Sequence, residues 1–211
     1  MTHATTDIIV HIVDDDAAMR DALDWLFRTR GVACRQWESG DAFLSAWTPD
    51  LPGCLLLDIR MPGVSGLEVF DTLMTYGAPQ PVIFLSGHGD LPSAVEALKR
   101  GAADFIEKPF NDNELVDRVI AAWVASSQKR QAQSLAAQRR ALLDTLSARE
   151  REVLRCVLDG MLNKQIADAL KVTMRTVETH RARVIEKMKV KNTVELARLF
   201  GLDSPDLDAQ G

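Results

Sequence analysis

The chain has 211 residues, 46% hydrophobic and 26% charged, with a formal net charge of −5; this suits one large or two small globular domains and excludes a disordered chain. No apolar run approaches the ~18 residues that cross a bilayer, the N-terminus lacks the basic and apolar regions of a signal peptide, and Cys34, Cys54 and Cys156 form no CxxC pair, which excludes a disulfide framework or structural zinc site and suits a reducing cytoplasm. The charge is uneven: residues 1–126 hold 9 Lys+Arg against 19 Asp+Glu, residues 127–211 hold 16 against 11, as expected of two domains with different partners, the basic one suited to nucleic acid.

In the first half, apolar runs at Ile8–Val13, Gly53–Leu57, Val82–Leu85 and Ala103–Ile106 read as buried strands, with a weaker one at Val32–Trp37. Between them, helical periodicity predicts helices over Ala17–Arg30, Asp41–Trp47, Leu67–Tyr76, Ser93–Arg100 and Asp112–Ala125. Ser65–Glu68 and Asn111–Glu114 have the capping-box spacing, in which each end satisfies an orphan N–H of the other. Five strands alternating with five helices predict a doubly wound parallel sheet. Residues 126–146 contain neither Gly nor Pro and extend the last helix; Leu135, Leu142 and Leu146 could form a weak seam, but a solvated linker helix is the preferred reading. From Ser147 the pattern is helical: a capping box opens a helix to Leu158, Gly160 ends it, and helices follow at Lys164–Leu170, Met174–Met188 and from Asn192, with a turn at Lys171–Thr173. The tail after Leu202 reads as disordered.

Ligands of open parallel sheets bind beyond the carboxyl ends of the strands. Those ends here carry Asp14-Asp15-Asp16, Asp58, Ser86 and Lys108-Pro109. Singly, each has an ordinary use as a helix cap, a solvated carboxylate or a surface turn; at the ends of four strands of one sheet they point to a site. Crowded carboxylates repel unless a cation lies among them, and Mg²⁺, which takes one or two carboxylates and keeps several waters, suits them. One carboxylate could then act as a nucleophile toward phosphorus.

These residues carry a resemblance. Val13-Asp14-Asp15, Asp58-Ile59-Arg60-Met61-Pro62-Gly63, Ser86-Gly87-His88-Gly89-Asp90 and Phe105-Ile106-Glu107-Lys108-Pro109-Phe110 resemble the receiver domain of two-component response regulators over about residues 7–125. The resemblance implies a flavodoxin-like α/β receiver domain with a five-stranded parallel sheet. It implies that Asp58 is the phosphoacceptor, that Asp14, Asp15, Asp58 and the Arg60 backbone carbonyl hold Mg²⁺, that Lys108 contacts the phosphoryl group, and that Ser86 and Phe105 form the switch. It also implies a cis Lys108–Pro109 bond, accessible to an X–Pro peptide.

On a helical wheel, Val177, His180, Val184 and Met188 share one stripe, while Arg175, Thr179, Ala182 and Glu186 face the opposite way with Glu178 and Arg183 beside them. Arg181 lies next to the apolar stripe, placed for phosphate or a neighbouring helix. A solvated amphipathic helix would show the same pattern. Leu146–Leu154, Asn163–Ala167 and Arg175–Arg181, however, resemble the LuxR-type (NarL/FixJ, FixJ-like branch) DNA-binding domain, a small all-α helix-turn-helix unit, over about residues 143–200. By that resemblance Glu178, Thr179 and Ala182 face bases; Arg175 and Arg183 lie on the same exposed side, and Lys164, Thr176 and Arg181 are the candidate phosphate contacts. Lys171-Val172-Thr173 replaces the family's Gly-Ile-Ser, so Lys171 must adopt a left-handed backbone.

The expected organisation is a receiver at 1–125, a helical linker at 126–142, a DNA-binding domain at 143–202 and a tail at 203–211. The expected function is a cytoplasmic response regulator, not an enzyme, with Mg²⁺ as cofactor. Its partners would be a sensor histidine kinase, double-stranded promoter DNA, RNA polymerase and a second copy of itself on phosphorylation, with no membrane. The alternatives are a Mg²⁺-dependent phosphohydrolase with an aspartate nucleophile, an RNA-binding antiterminator, and a DNA-binding regulator indifferent to phosphorylation.

Overall fold

The structure is a computed structural model that describes residues 8–87 and 91–200. The predicted tail at 203–211, the N-terminal seven residues and His88–Asp90 of the loop motif lie outside the described residues.

The chain divides into two compact units, Met1–Gln131 and Ala132–Gly211, a division inside the segment read as linker. In the first, β1 (Ile9–Val13), β2 (Ala33–Trp37), β3 (Cys54–Asp58), β4 (Val82–Ser86) and β5 (Asp104–Glu107) form one parallel sheet in the order β2-β1-β3-β4-β5. All five residues of β3 and of β4 are buried, as continuous apolar runs require when both sheet faces are covered. The edge strand β2 is largely exposed, which is why its pattern was weaker. Helices α1 (Ala17–Thr29), α2 (Gly40–Ala46), α3 (Gly66–Thr75), α4 (Leu91–Lys99) and α5 (Asp112–Asp144) follow the strands in turn. The strands alternate between two cores. Val10, Ile12, Leu56 and Leu85 pack with Leu23, Phe27 and Val119 of α1 and α5; Val13, Leu55, Leu57 and Phe84 pack with Phe43, Phe70 and Leu73 of α2 and α3. The predicted boundaries shift by no more than about two residues, the frayed-end uncertainty of any helix or strand, except at α5.

There the helix runs on without a break to Asp144, as the lack of Gly and Pro predicted. The leucine seam divides: Leu135 is exposed, in keeping with a solvated helix, whereas Leu142 and Leu146 pack into the core of the second unit. Ser65 and Glu68 form the full capping box. Asn111 accepts from the backbone N–H groups of Asn113 and Glu114 at 3.0 and 3.2 Å, but the Glu114 carboxylate bonds Arg118.

The second unit adds α6 (Ala148–Leu158), α7 (Asn163–Leu170), α8 (Met174–Lys187) and α9 (Thr193–Leu199). Val153, Leu154, Ile166, Val177, Val184, Met188 and Leu196 fill its core. Ser147 and Glu150 box the start of α6, and Lys171 turns from α7 into α8 with φ 53°, as the resemblance implied.

Unforeseen from the sequence is the fate of Glu150, only 3% exposed. Its carboxylate accepts from Lys187 Nζ at 2.7 Å and from the Ser147 backbone at 2.8 Å, tying the start of α6 to the end of α8. Lys187 above all, then the Ser147 N–H, pull this carboxyl down to about 2. A depressed carboxylate stabilises the fold fully above its unfolded value near 4.5, and that contribution is lost as pH falls toward about 2. Glu150→Gln is therefore expected to weaken this unit by about 2 kcal/mol at neutral pH and to flatten the stability profile between those limits, measured by urea unfolding with circular dichroism; an unchanged profile would refute the pairing.

Candidate functional site

Three buried parallel strands end side by side. The registers Val13–Leu57, Asp58–Leu85 and Ser86–Glu107 bring the ends of β1, β3, β4 and β5 to one edge. Asp14 directly follows β1, Asp58 ends β3 and Ser86 ends β4, with exposures of 1%, 8% and 2%. Lys108 arrives from beyond β5, its backbone N–H bonded to the Ser86 carbonyl at 2.7 Å, and the Lys108–Pro109 peptide is cis, as the resemblance implied.

The Lys108 ammonium lies between the carboxylates, 2.9 Å from Asp14 Oδ2 and 2.6 Å from Asp58 Oδ1. The other oxygens are also held: Asp14 Oδ1 accepts from the Asp16 N–H at 2.8 Å, and Asp58 Oδ2 from the Arg60 N–H at 2.7 Å. Burial pushes the Asp58 carboxyl above its ordinary range, Lys108 pulls it back, and Asp14 adds an upward push. Burial also works against the Lys108 charge, but the two carboxylates outweigh it and raise its pKa.

The aspartate triplet is thus split. Asp14 belongs to the site. Asp16 caps α1, accepting from the N–H groups of Ala18 and Met19, so the ordinary capping use is real but falls on one residue of three. Asp15 is exposed. Ser86 directs its hydroxyl to the Ile106 carbonyl at 3.5 Å. Phe105 is half-buried against the core formed by α2, α3 and α4. Its N–H is held by Asp104 Oδ1 at 2.9 Å and its carbonyl by Arg118 Nη2 at 2.8 Å.

A divalent cation suits this donor set. Two buried carboxylates already converge on one ammonium, and Mg²⁺ takes one or two carboxylates with waters completing its octahedron. Among the described residues no three His, Cys, Asp or Glu side chains gather closely enough to hold a metal unaided, so the fit rests on Asp14 and Asp58.

In the second unit, Lys164, Arg175, Glu178, Thr179, Ala182 and Arg183 are exposed, as a DNA-facing surface needs. Thr176 is half-buried; its N–H and hydroxyl bond the Thr173 hydroxyl, the cap of α8. Arg181 takes the neighbouring-helix alternative: its guanidinium bonds Asn163 Oδ1 at 2.5 Å and Thr193 Oγ1 at 3.0 Å.

Sequence reasoning missed Gly66, read only as part of a helix cap. A Cβ on Gly66 would stand 2.1 Å from the Asp58 carbonyl oxygen and 3.1 Å from Leu57 Cγ. The start of α3 therefore runs against the backbone of the site itself, and the glycine eight residues after Asp58 was the available signal.

Residues 10–120 match the family model of the response regulator receiver domain, and residues 144–200 that of the bacterial regulatory proteins of the luxR family. The chain is 50% identical over 193 residues to the C4-dicarboxylate transport transcriptional regulatory protein DctR of Rhodobacter capsulatus, covering 90% of this chain and 98% of the relative. It is 44% identical over 190 residues to the transcriptional regulatory protein FixJ of Azorhizobium caulinodans, covering 90% of each. The structure of the response regulator StyR is similar, with a TM-score of 0.77 and 35% identity over 92% of this chain and 98% of that one.

Gly66→Ala is expected to destabilise the first unit by about 2 kcal/mol through overpacking. All four tryptophans lie in that unit, so urea unfolding by tryptophan fluorescence reads it; a loss below about 0.5 kcal/mol would show that the contact relaxes freely.

Proposed function

The chain belongs to the response regulators, a receiver domain followed by a LuxR-type DNA-binding domain, in the branch that includes FixJ, and on that premise we propose that Asp58 is its phosphoacceptor and that phosphorylation there controls dimerisation and DNA binding. Its relatives are transcriptional regulators, and its two domains imply a sensor kinase and DNA as partners. The observation that carries the proposal is the Lys108 ammonium held between Asp14 and Asp58 at the ends of buried parallel strands.

An Asp58 carboxylate oxygen attacks the phosphorus of the kinase's phosphohistidine. The O–P bond forms, the P–N bond breaks, and the imidazole nitrogen leaves with the bonding pair. Receiver domains bind Mg²⁺ for this reaction; here Asp14 and Asp58, with Asp15 and the Arg60 carbonyl, would hold it, and it would offset the negative charge gathered at the phosphoryl group. Lys108, already bonded to Asp58, transfers one of its N–H bonds to a phosphoryl oxygen. The long Ser86–Ile106 hydrogen bond is weak, so the Ser86 hydroxyl turns to the phosphoryl group at small cost, and Phe105 repacks behind it. This local change of charge biases a two-state face, through which two copies associate. The dimer presents two copies of α8 to successive major grooves. Glu178 accepts from a cytosine amino group, Thr179 and Ala182 meet base edges, and Lys164 and Arg175 meet phosphates. The functional boundaries are 1–125, 126–142 and 143–202. Arg60 stands where an aspartate-nucleophile phosphohydrolase would carry its second catalytic aspartate, which favours stoichiometric phosphorylation over turnover. Among the described residues no helix is long and apolar enough to cross a membrane.

With Mg²⁺ and acetyl phosphate, the full chain is expected to gain one phosphoryl group by intact mass and Asp58→Asn none; beryllofluoride is expected to shift wild type, not Asp58→Asn, from monomer to dimer in sedimentation velocity. A stably phosphorylated Asp58→Asn would refute the assignment. Lys164→Ala is expected to weaken binding to all duplexes alike and to reduce the slope of log K against log salt by roughly one; an unchanged slope would remove Lys164 from the phosphate contacts.

A further inference from the structure

The recognition helix α8 is fixed along one line. Val177, Val184 and Met188 are buried at spacings of seven and four, its N-terminus is capped by Thr173, and its last residue, Lys187, is paired with Glu150. A single apolar stripe with anchors at the two ends resists translation but only weakly resists rolling about the helix axis. At 100° per residue, Arg181 lies about 40° to one side of that stripe. From there Nη1 reaches Asn163 Oδ1, the first residue of α7, at 2.5 Å, and Nη2 reaches Thr193 Oγ1, the first residue of α9, at 3.0 Å.

We propose that Arg181 is a positioning residue that sets the roll of α8 by bridging the starts of α7 and α9, rather than a phosphate contact, and that sequence-specific DNA recognition depends on it while general DNA affinity does not. Both acceptors are neutral, so the contact is one of hydrogen-bond geometry, which the fixed fork of a guanidinium supplies and an ammonium does not. The lever is long enough to matter. A roll of about 15° moves a side-chain tip some 5–6 Å from the axis by about 1.5 Å, enough to break the hydrogen bonds that Glu178 accepts, or that Thr179 makes, at a base edge. The same roll leaves flexible lysine and arginine side chains able to reach phosphates, which carry most of the sequence-independent affinity.

The test uses the full chain and two probes: a duplex selected by wild type from a random-sequence library, and poly(dI-dC). For Arg181→Ala the expected result is at least about a tenfold loss on the selected duplex, no more than about twofold on poly(dI-dC), and an unchanged salt slope. Arg181→Lys is expected to reproduce most of that loss, because it keeps the charge but cannot span both acceptors. Asn163→Ala and Thr193→Val, milder should Arg181→Ala fold poorly, are expected to show the same selective loss at smaller size and to be non-additive with Arg181→Lys. Equal losses on both probes with a slope reduced by ~0.9 would make Arg181 a phosphate contact and overturn the proposal. Full rescue by lysine, or a lowered melting temperature with specificity intact, would overturn it equally.

Discussion

Two carboxylates buried side by side are unfavourable without a cation between them, and the Lys108 ammonium meets that need in the first unit. Removing ions from water costs several kcal/mol each unless they are paired and hydrogen-bonded. Asp14 and Asp58 satisfy both conditions: each has one oxygen on Lys108 and the other on a backbone N–H two residues further along the chain. The arrangement depends in turn on the sheet. Strands covered on both faces hold their ends in register, and the bond from the Lys108 backbone to the Ser86 carbonyl fixes the loop that delivers the ammonium. Gly66 lets α3 begin against the carbonyl of Asp58. The receiver is thus built around a charge balance between one ammonium and two carboxylates.

The second unit spends its charges differently. Glu150 and Lys187 form a half-shielded pair joining α6 to α8, and Arg181 joins α8 to α7 and α9 through neutral acceptors. Both tie α8 to its neighbouring helices. The remaining basic side chains on that surface, Lys164, Arg175 and Arg183, are exposed, so the positive excess of the C-terminal half divides between side chains that join helices and side chains that face solvent. The same residue types do both jobs, and only their neighbours distinguish them.

The sequence alone determined the sheet, the order of the helices and the edge where the site lies. Continuous apolar runs such as Cys54–Leu57 can be buried only between two covered faces, and Asp, Ser and Lys following such runs must emerge at one edge. It also determined the uninterrupted α5, because nothing in residues 126–141 breaks a helix; the left-handed Lys171 came from the family resemblance, which sets Lys171 where the family carries glycine. Tertiary structure decided the rest. Asp14, Asp15 and Asp16 are chemically alike, and only the direction of chain entry into α1 makes one a pocket residue, one a cap and one exposed. Glu150 reads as half of a capping box, and its burial depends on Lys187, 37 residues away. Arg181 has two possible uses on a helical wheel, and the positions of Asn163 and Thr193 select one. Periodicity and spacing report what a residue does along its own element. Which side chain answers it from another element is set by packing, and there the local pattern carries no information.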